Sequence, residues 1–354
     1  MTEVRFGIIG YGNIAGTHLS FFDKNEIPDA RVTAIFDTDK SRADKAREKY
    51  KGKIAVFDDE EEFFSSGLFD AILICSPHYH HPHYAIKGFE HNLHVLCEKP
   101  AARTYDEALA MQKAQHETGM TLNIGVVNRF NDAVRHIKRH IDQGELGEIY
   151  HVYVSFRAHR SIPGLGGAFT TKAIAGGGAL IDWGVHYLDI VMYCCGDPVP
   201  RTVSGQAFCK LGRDIDNYVY TDMWAGPHIS GGTYDVDDSV TALIRTQGPV
   251  ITVHGAWAQN IGEKEAYIDF MGDKAGIRLQ YGGNYTLYTA KDGMLQTITP
   301  SFKSGNMFQR EIDEFIDCVQ TGKKLPSHID TVILTAQIMQ AIYDSSEQSA
   351  EIKL

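Results

Sequence analysis

No apolar stretch in this chain reaches the roughly 20 residues a helix needs to cross a bilayer. Nor does the opening, Met1-Thr2-Glu3-Val4-Arg5-Phe6, show the basic segment and long apolar run of a secretory leader. Positive charge is in short supply: 34 Lys and Arg stand against 45 Asp and Glu, a formal net charge of −11. A broad surface for nucleic acid or anionic lipid is therefore excluded, because both need basic side chains to neutralise phosphate. A local basic pocket for one phosphate or carboxylate remains open. Cysteine is sparse, and Cys75, Cys97, Cys194, Cys195, Cys209 and Cys318 form no C-x-x-C pair. They read as small hydrophobes, with Cys194-Cys195 at a helix end, and fit a reducing, cytoplasmic location. Internal repeats and low-complexity tracts are lacking too.

What is present is ordinary globular material: 354 residues, 43% hydrophobic and 22% charged. That length exceeds one comfortable core and suits two domains.

Val4-Arg5-Phe6-Gly7-Ile8-Ile9 is a nearly continuous apolar run, as expected of a strand buried on both faces of a parallel sheet. Gly10-Tyr11-Gly12-Asn13-Ile14-Ala15 follows, then a helical pattern through Leu19 and Phe22. In G-x-G-x-x-A the first glycine allows a tight turn and the second lets backbone approach a pyrophosphate. The alanine lets the helix pack close to the strand. The helix start offers N–H groups and positive dipole to phosphate. Alone, the motif is equally a plain strand-to-helix turn. A second strand at 32–36 ends on Asp37, which can accept from adenosine ribose hydroxyls and repel a 2′-phosphate. Together these features point to a dinucleotide site, with NAD favoured and NADP the alternative because Lys40 and Arg42 lie nearby.

Further strands at 54–56, 71–75, 93–96 and 121–126 alternate with helices near 40–50, 59–66, 81–91 and 104–118. Such alternation makes an open parallel sheet that binds ligands at the carboxyl ends of its strands. Two loops there carry unusual chemistry. Ser76-Pro77-His78-Tyr79-His80-His81-Pro82-His83 invites a metal reading, yet no cysteine or carboxylate stands nearby to complete a shell. No metal is expected; Ser76 and Pro77 are assigned to the cofactor. In Cys97-Glu98-Lys99-Pro100, a lysine at the sheet's carboxyl edge can polarise a hydroxyl or carbonyl oxygen, or help shuttle its proton. The competing reading is a solvated ion pair before a proline-started helix.

After a helix over about 131–141 the pattern changes. Residues 149–156 alternate at period two, and strands follow at 201–209, 239–246, 249–257, 265–271 and 276–280, which implies an antiparallel sheet. The boundary is placed near 127, giving domains 1–127 and 128–354, the latter closing with a helix over about 328–345. The informative segment is Gly176-Gly177-Gly178-Ala179-Leu180-Ile181-Asp182-Trp183-Gly184-Val185-His186. Its glycines read as a flexible lead-in, and Asp182 and His186, at i and i+4, share one helix face. A buried packing pair and a metal pair are the alternatives. As catalysts, the histidine takes a hydroxyl proton while the carboxylate orients it and steadies positive charge.

In order and spacing, G-x-G-x-x-A, the second-strand Asp, Ser-Pro-x-x-x-His, Glu-Lys-Pro and G-G-G-x-x-x-D-x-G-x-H resemble the Gfo/Idh/MocA oxidoreductases. The resemblance extends to Ile342-Tyr343-Asp344-Ser345. It implies an N-terminal Rossmann sheet and a C-terminal α+β domain whose large, mainly antiparallel open sheet forms a homo-oligomer interface. It implies Lys99, Asp182 and His186 as the catalytic set, with His186 the acid/base and Pro100 shaping its loop through a cis bond. The cofactor set becomes Gly10, Gly12, Asn13, Ile14, Asp37, Ser76, Pro77, His81, Glu98 and Lys99. His78 stands where the family often has asparagine. Substrates would be sugars, glycosides or inositols, and Asn128, Arg129, Arg157, His159 and Trp183 are the candidates to contact them. The stretch 214–238, with Tyr218, Tyr220, Trp224, His228 and Tyr234, is expected as an inserted loop lining the sugar pocket or crossing to a neighbouring subunit. The leading expectation is hydride transfer between nicotinamide and a secondary alcohol or ketone. The alternatives are glycoside cleavage through transient C3 oxidation, and a non-catalytic sugar sensor.

Overall fold

Six strands pair in parallel in the order Ala55–Phe57, Ala30–Phe36, Val4–Ile9, Ala71–Ile74, His94–Glu98 and Leu122–Gly125. They come from a computed structural model that describes residues 3–262 and 264–354; Met1 and Thr2, in the opening read for a leader, lie outside the described residues. The strand centres are apolar because both faces of the sheet are covered: Ile8, Ile72, Val95 and Ile124 have no exposed surface. Strand order reverses between Val4–Ile9 and Ala71–Ile74, and a doubly wound sheet opens its binding crevice at that reversal. The glycine loop and the Ser76-Pro77 loop leave the sheet there. No helix among the described residues is long and apolar enough to cross a membrane.

The chain forms two units, 1–127 with 306–333, and 128–305 with 334–354. The expectation of a second domain running unbroken from 128 to 354 did not include a return of the chain. The cause is a helix over Met307–Thr321 that the sequence reading passed over. It begins on Asn306, whose side chain accepts from the N–H groups of Phe308 and Gln309, and ends at Gly322 in a left-handed conformation (φ 73°). Its stripe of Ile312, Phe315 and Ile316 packs into the first unit's core with Phe6, Ile8 and Leu19. The Phe6 and Phe315 ring centroids lie 5.8 Å apart.

The second unit holds a nine-stranded sheet. Its order is Met294–Ile298, Tyr285–Lys291, Ala275–Gln280, Glu265–Gly272, Ile149–Arg157, Val250–Ala256, Ser239–Thr246, Pro200–Phe208 and Ile352–Lys353. Ile149–Arg157 and Val250–Ala256 run parallel; the other pairings are antiparallel. Period-two alternation puts Val152, Val154, Phe156, Val253 and Ile268 on one face, against Val134, Ile137, Leu188, Val191, Ile338 and Ile342 of the helices. The opposite face carries Tyr153, Ser155, Arg157, His254, Glu265, Tyr267 and Arg278. Three strands escaped the sequence reading, Tyr285–Lys291, Met294–Ile298 and Ile352–Lys353. They lie at the sheet's margins, where side chains such as Leu295 (93% exposed) face water and leave no apolar alternation.

Removing a fully buried ring leaves a cavity as well as lost burial, so Phe315→Ala should cost the first unit about 3–5 kcal/mol in chemical unfolding. A cost below about 1 kcal/mol would show that the 306–333 segment is not part of that core.

Candidate active site

The first unit's crevice begins at Gly10, whose backbone (φ 90°) lies in the left-handed region. A side chain there would meet the Cys75 carbonyl at 2.8 Å, so only glycine lets the loop pass this close to the next strand. Gly12 is different: a Cβ added to it would project into open space, the cradle a pyrophosphate needs. The helix Asn13–Asp23 starts there with no side-chain cap on its first N–H groups, and Asn13 is exposed while Ile14 packs inward. Asp37 is buried at the end of its strand. One carboxylate oxygen accepts the Tyr11 N–H (2.7 Å) and the other the Asp39 N–H (2.8 Å), so this residue also shapes the glycine loop. Each oxygen keeps a second lone pair for ribose hydroxyls. A groove is lined by Gly10, Asp37, Arg42, Ser76, Pro77 and Tyr79. The Ser76 hydroxyl is buried with no hydrogen-bond partner among the described residues. An open cradle, an uncapped helix start, an acidic strand end and an orphaned hydroxyl together fit a dinucleotide.

Two residues expected at the cofactor have side chains bonded within the first unit. His81 is fully buried, its ring nitrogens facing the carbonyls of Pro100 (Nδ1, 2.8 Å) and Ser76 (Nε2, 2.9 Å). Burial holds its pKa below the usual histidine value, against the pull of both carbonyls. It ties one carboxyl-edge loop to the other. Glu98 is buried, with one oxygen 2.8 Å from His18 Nε2 and the other accepting the Lys99 N–H at 3.2 Å. It anchors the backbone of Lys99. His18, which the sequence reading overlooked, is a fully buried partner on the glycine-loop helix. The Lys99-Pro100 peptide is cis.

In the second unit the Asp182–His186 segment hangs on a carboxylate. Asp237 accepts the N–H groups of Gly178 (2.7 Å) and Leu180 (2.9 Å), and the Tyr343 hydroxyl donates to it at 2.7 Å. The Asp237 carbonyl takes the Ala179 N–H at 2.9 Å. Burial pushes the Asp237 carboxyl pKa up, against these hydrogen bonds. The glycines are therefore no flexible lead-in. A Cβ on Gly178 would collide with the Asp237 carbonyl, and one on Gly177 with the Tyr343 hydroxyl. Leu180–Gly184 then forms a π-helical turn before the α-helix Val185–Cys194. Such single wide turns recur at functional sites. The Trp257 indole N–H donates to Asp182 at 3.2 Å. His186, half-buried, has its Nδ1 3.3 Å from the Asn128 amide nitrogen, which also lies 3.3 Å from the Tyr281 hydroxyl.

The candidates for substrate contact separate on inspection. Arg129 has no exposed surface; its guanidinium makes a two-pronged pair with Asp189 (2.9 and 2.7 Å), with Asp197 at 3.4 Å. Its charge is committed inside the unit, so it does not offer itself to a sugar. Arg157 bonds Glu265 on the sheet face opposite Phe156, and Phe156 stacks on Tyr187 of the His186 helix. Strand alternation thus turns Arg157 away from that helix. His159 is exposed and engages the Gln259 carbonyl (3.1 Å). Trp183 is half-buried, with the Lys264 ammonium 5.7 Å from its ring centroid. Asn128 is buried against His186 and Tyr281. The stretch 214–238 forms no strand. It packs on its own unit through Ile215, Tyr218 and Val236 against Ile162, Leu165 and Trp257, leaving Tyr220 and Trp224 exposed.

Residues 4–126 match the family described as "Oxidoreductase family, NAD-binding Rossmann fold", and residues 134–278 match the GFO/IDH/MocA C-terminal domain. The chain is 30% identical to D-glucoside 3-dehydrogenase of Escherichia coli (strain K12) over 357 residues, covering 100% of this chain and 98% of that protein. It is 28% identical to scyllo-inositol 2-dehydrogenase (NAD(+)) of Bacillus subtilis (strain 168) over 345 residues, 94% and 91% of the two chains. Among solved structures, levoglucosan dehydrogenase in complex with NADH and L-sorbose superposes with a TM-score of 0.84 at 21% identity, covering 100% and 99% of the two chains. A glycine cradle and acidic strand end built for NAD, and matches over both parts of the chain, lead to one conclusion: this protein belongs to the Gfo/Idh/MocA family of NAD-binding oxidoreductases.

Proposed function

We propose that this enzyme moves hydride between NAD and a secondary alcohol or ketone of a sugar, glycoside or inositol, with His186 as acid/base and Lys99 and Asp182 assisting. The carrying observation is the Asp182–His186 segment, pinned by Asp237 and presenting an imidazole already held by a neighbouring amide. The names of the relatives support the substrate class, and the full-length similarity to a D-glucoside 3-dehydrogenase puts D-glucosides first. NAD, when bound, supplies the hydride acceptor. The rest belongs to the chain. Gly10, Gly12, Asn13 and Ile14 form the turn for the pyrophosphate, Asp37 holds ribose, and Ser76 and Pro77 line the groove. His186 takes the hydroxyl proton as the alcohol becomes a ketone, and returns it in the reverse direction. The Lys99 ammonium steadies negative charge on the reacting oxygen. Asp182, fixed by Trp257, steadies the positive charge that His186 acquires. Of the substrate candidates, His159 and Trp183 keep that role. The sheet face bearing Tyr153, Tyr267 and Arg278 is the homo-oligomer interface.

Purified protein with NAD and a panel of D-glucosides, aldoses and inositols should generate the near-ultraviolet absorbance of reduced nicotinamide. Lys99→Ala and His186→Ala should each lower kcat/KM by about 10²–10⁴-fold, the usual worth of a proton-transfer group. Wild-type rates in His186→Ala would remove that residue from the acid/base role. In sedimentation the enzyme should run as a dimer or tetramer, and Tyr267→Asp should shift it towards monomer. A monomeric wild type would reject the interface.

A further inference from the structure

The turn that carries Asn128 is fixed three ways. Its neighbour Arg129 is clamped to Asp189, which lies on the same helix as His186, Val185–Cys194. The Tyr281 ring stacks flat on Tyr187 of that helix, centroids 4.5 Å apart and planes 19° apart, which locates its hydroxyl. Asn128 itself is only 7% exposed, with His186 Nδ1 and the Tyr281 hydroxyl both 3.3 Å from its amide nitrogen. An amide so constrained beside an imidazole does more than fill space.

We propose that Asn128 is the positioning residue of His186, and that its amide, steadied by Tyr281, sets which ring nitrogen carries the proton. The inference rests on the acid/base role of His186. A neutral imidazole has one N–H and one lone pair, whereas an amide offers N–H on one edge and C=O on the other. With its N–H towards Nδ1, Asn128 keeps the ring proton on Nε2. A half-turn about the amide's terminal torsion, a soft rotation, presents the carbonyl instead. The proton then sits on Nδ1 and the Nε2 lone pair can accept from a substrate hydroxyl. When the substrate O–H bond breaks and its proton bonds to Nε2, the imidazolium holds both N–H bonds, and the Nδ1–H still finds the Asn128 carbonyl. The Tyr281 hydroxyl both donates and accepts, so it complements either edge. Tyr281 is the titratable group in contact with Asn128, and it carries Tyr187 stacked on its ring and the Asp182 charge acting on it. Burial raises the Tyr281 pKa, against the Asn128 hydrogen bond and with the Asp182 charge adding to it, which favours the neutral hydroxyl.

The test is the ¹⁵N spectrum of His186, assigned by its disappearance in His186→Ala, together with steady-state kinetics. Wild type should show one dominant tautomer. Asn128→Leu should show averaged ring-nitrogen shifts and a kcat lower by about 10–100-fold, part of the total worth of a proton-transfer group, with KM little changed. Asn128→Asp, nearly the same shape, should keep more turnover than Asn128→Leu. It should also move the acid limb of the oxidation profile to higher pH, because a carboxylate favours imidazolium. An unchanged tautomer in Asn128→Leu, an effect confined to KM, or an unmoved pH limb in Asn128→Asp overturns the proposal. Full turnover in His186→Ala would instead reject the acid/base role, whatever the ring spectrum shows, so the two failures are distinguishable.

Discussion

A single buried carboxylate holds the start of the Asp182–His186 segment in place. Asp237 receives two backbone N–H groups at the start of the Asp182–His186 helix and the Tyr343 hydroxyl, while its own carbonyl takes a third N–H. Hydrogen bonds to a charged acceptor contribute about 1.5–3 kcal/mol each, and a helix start without partners leaves orphaned donors. The need for this approach explains Gly177 and Gly178, which have no room for a side chain. It also makes Tyr343, on the last long helix, part of the same assembly. Trp257, next in line, reaches Asp182 from the end of a strand of the nine-stranded sheet. The sheet's closing helix and one of its strand ends therefore converge on a single turn.

The first unit follows the same logic with opposite charge demands. Here the helix start after Gly12 lacks a side-chain cap, leaving its N–H groups for a ligand phosphate. Asp37 spends part of its hydrogen-bonding capacity on the glycine loop, the proposed seat of that phosphate. Glu98 and His81, both buried, tie the Lys99 loop to the glycine-loop helix and to the Ser76 loop. In both units the residues of the proposed site are supported by buried polar partners, as pre-organised sites require.

The parallel sheet was legible in the sequence because each strand is a short apolar run followed by its own turn signal. Gly10, Asp37, Lys99, Asp182 and His186 stood out for the same reason, since each sits in a short motif. The supporting residues carry no such mark. Asn128 and Tyr281 meet across 153 positions, and Tyr343 and Asp237 across 106, so no local spacing announces them. Arg129 and Arg157 were misleading because a charged side chain reads as a surface group until its partner is known. Only the fold shows Asp189 and Glu265 beside them. The helix Met307–Thr321 was within reach, with Asn306 ahead of an i, i+3, i+4 stripe and Gly322 behind it. Its membership of the first unit was not, because that depends on contacts more than 300 residues apart in sequence, as between Phe6 and Phe315.

The proposed catalytic geometry of the second unit hangs on the Asp237 anchor, independently of NAD binding by the first. The direct measurement is turnover and NAD affinity in Asp237→Asn, which keeps the shape but sets an amide against a backbone N–H. The account predicts a steep fall in kcat with NAD affinity unchanged. Undiminished kcat in a folded Asp237→Asn protein would contradict it.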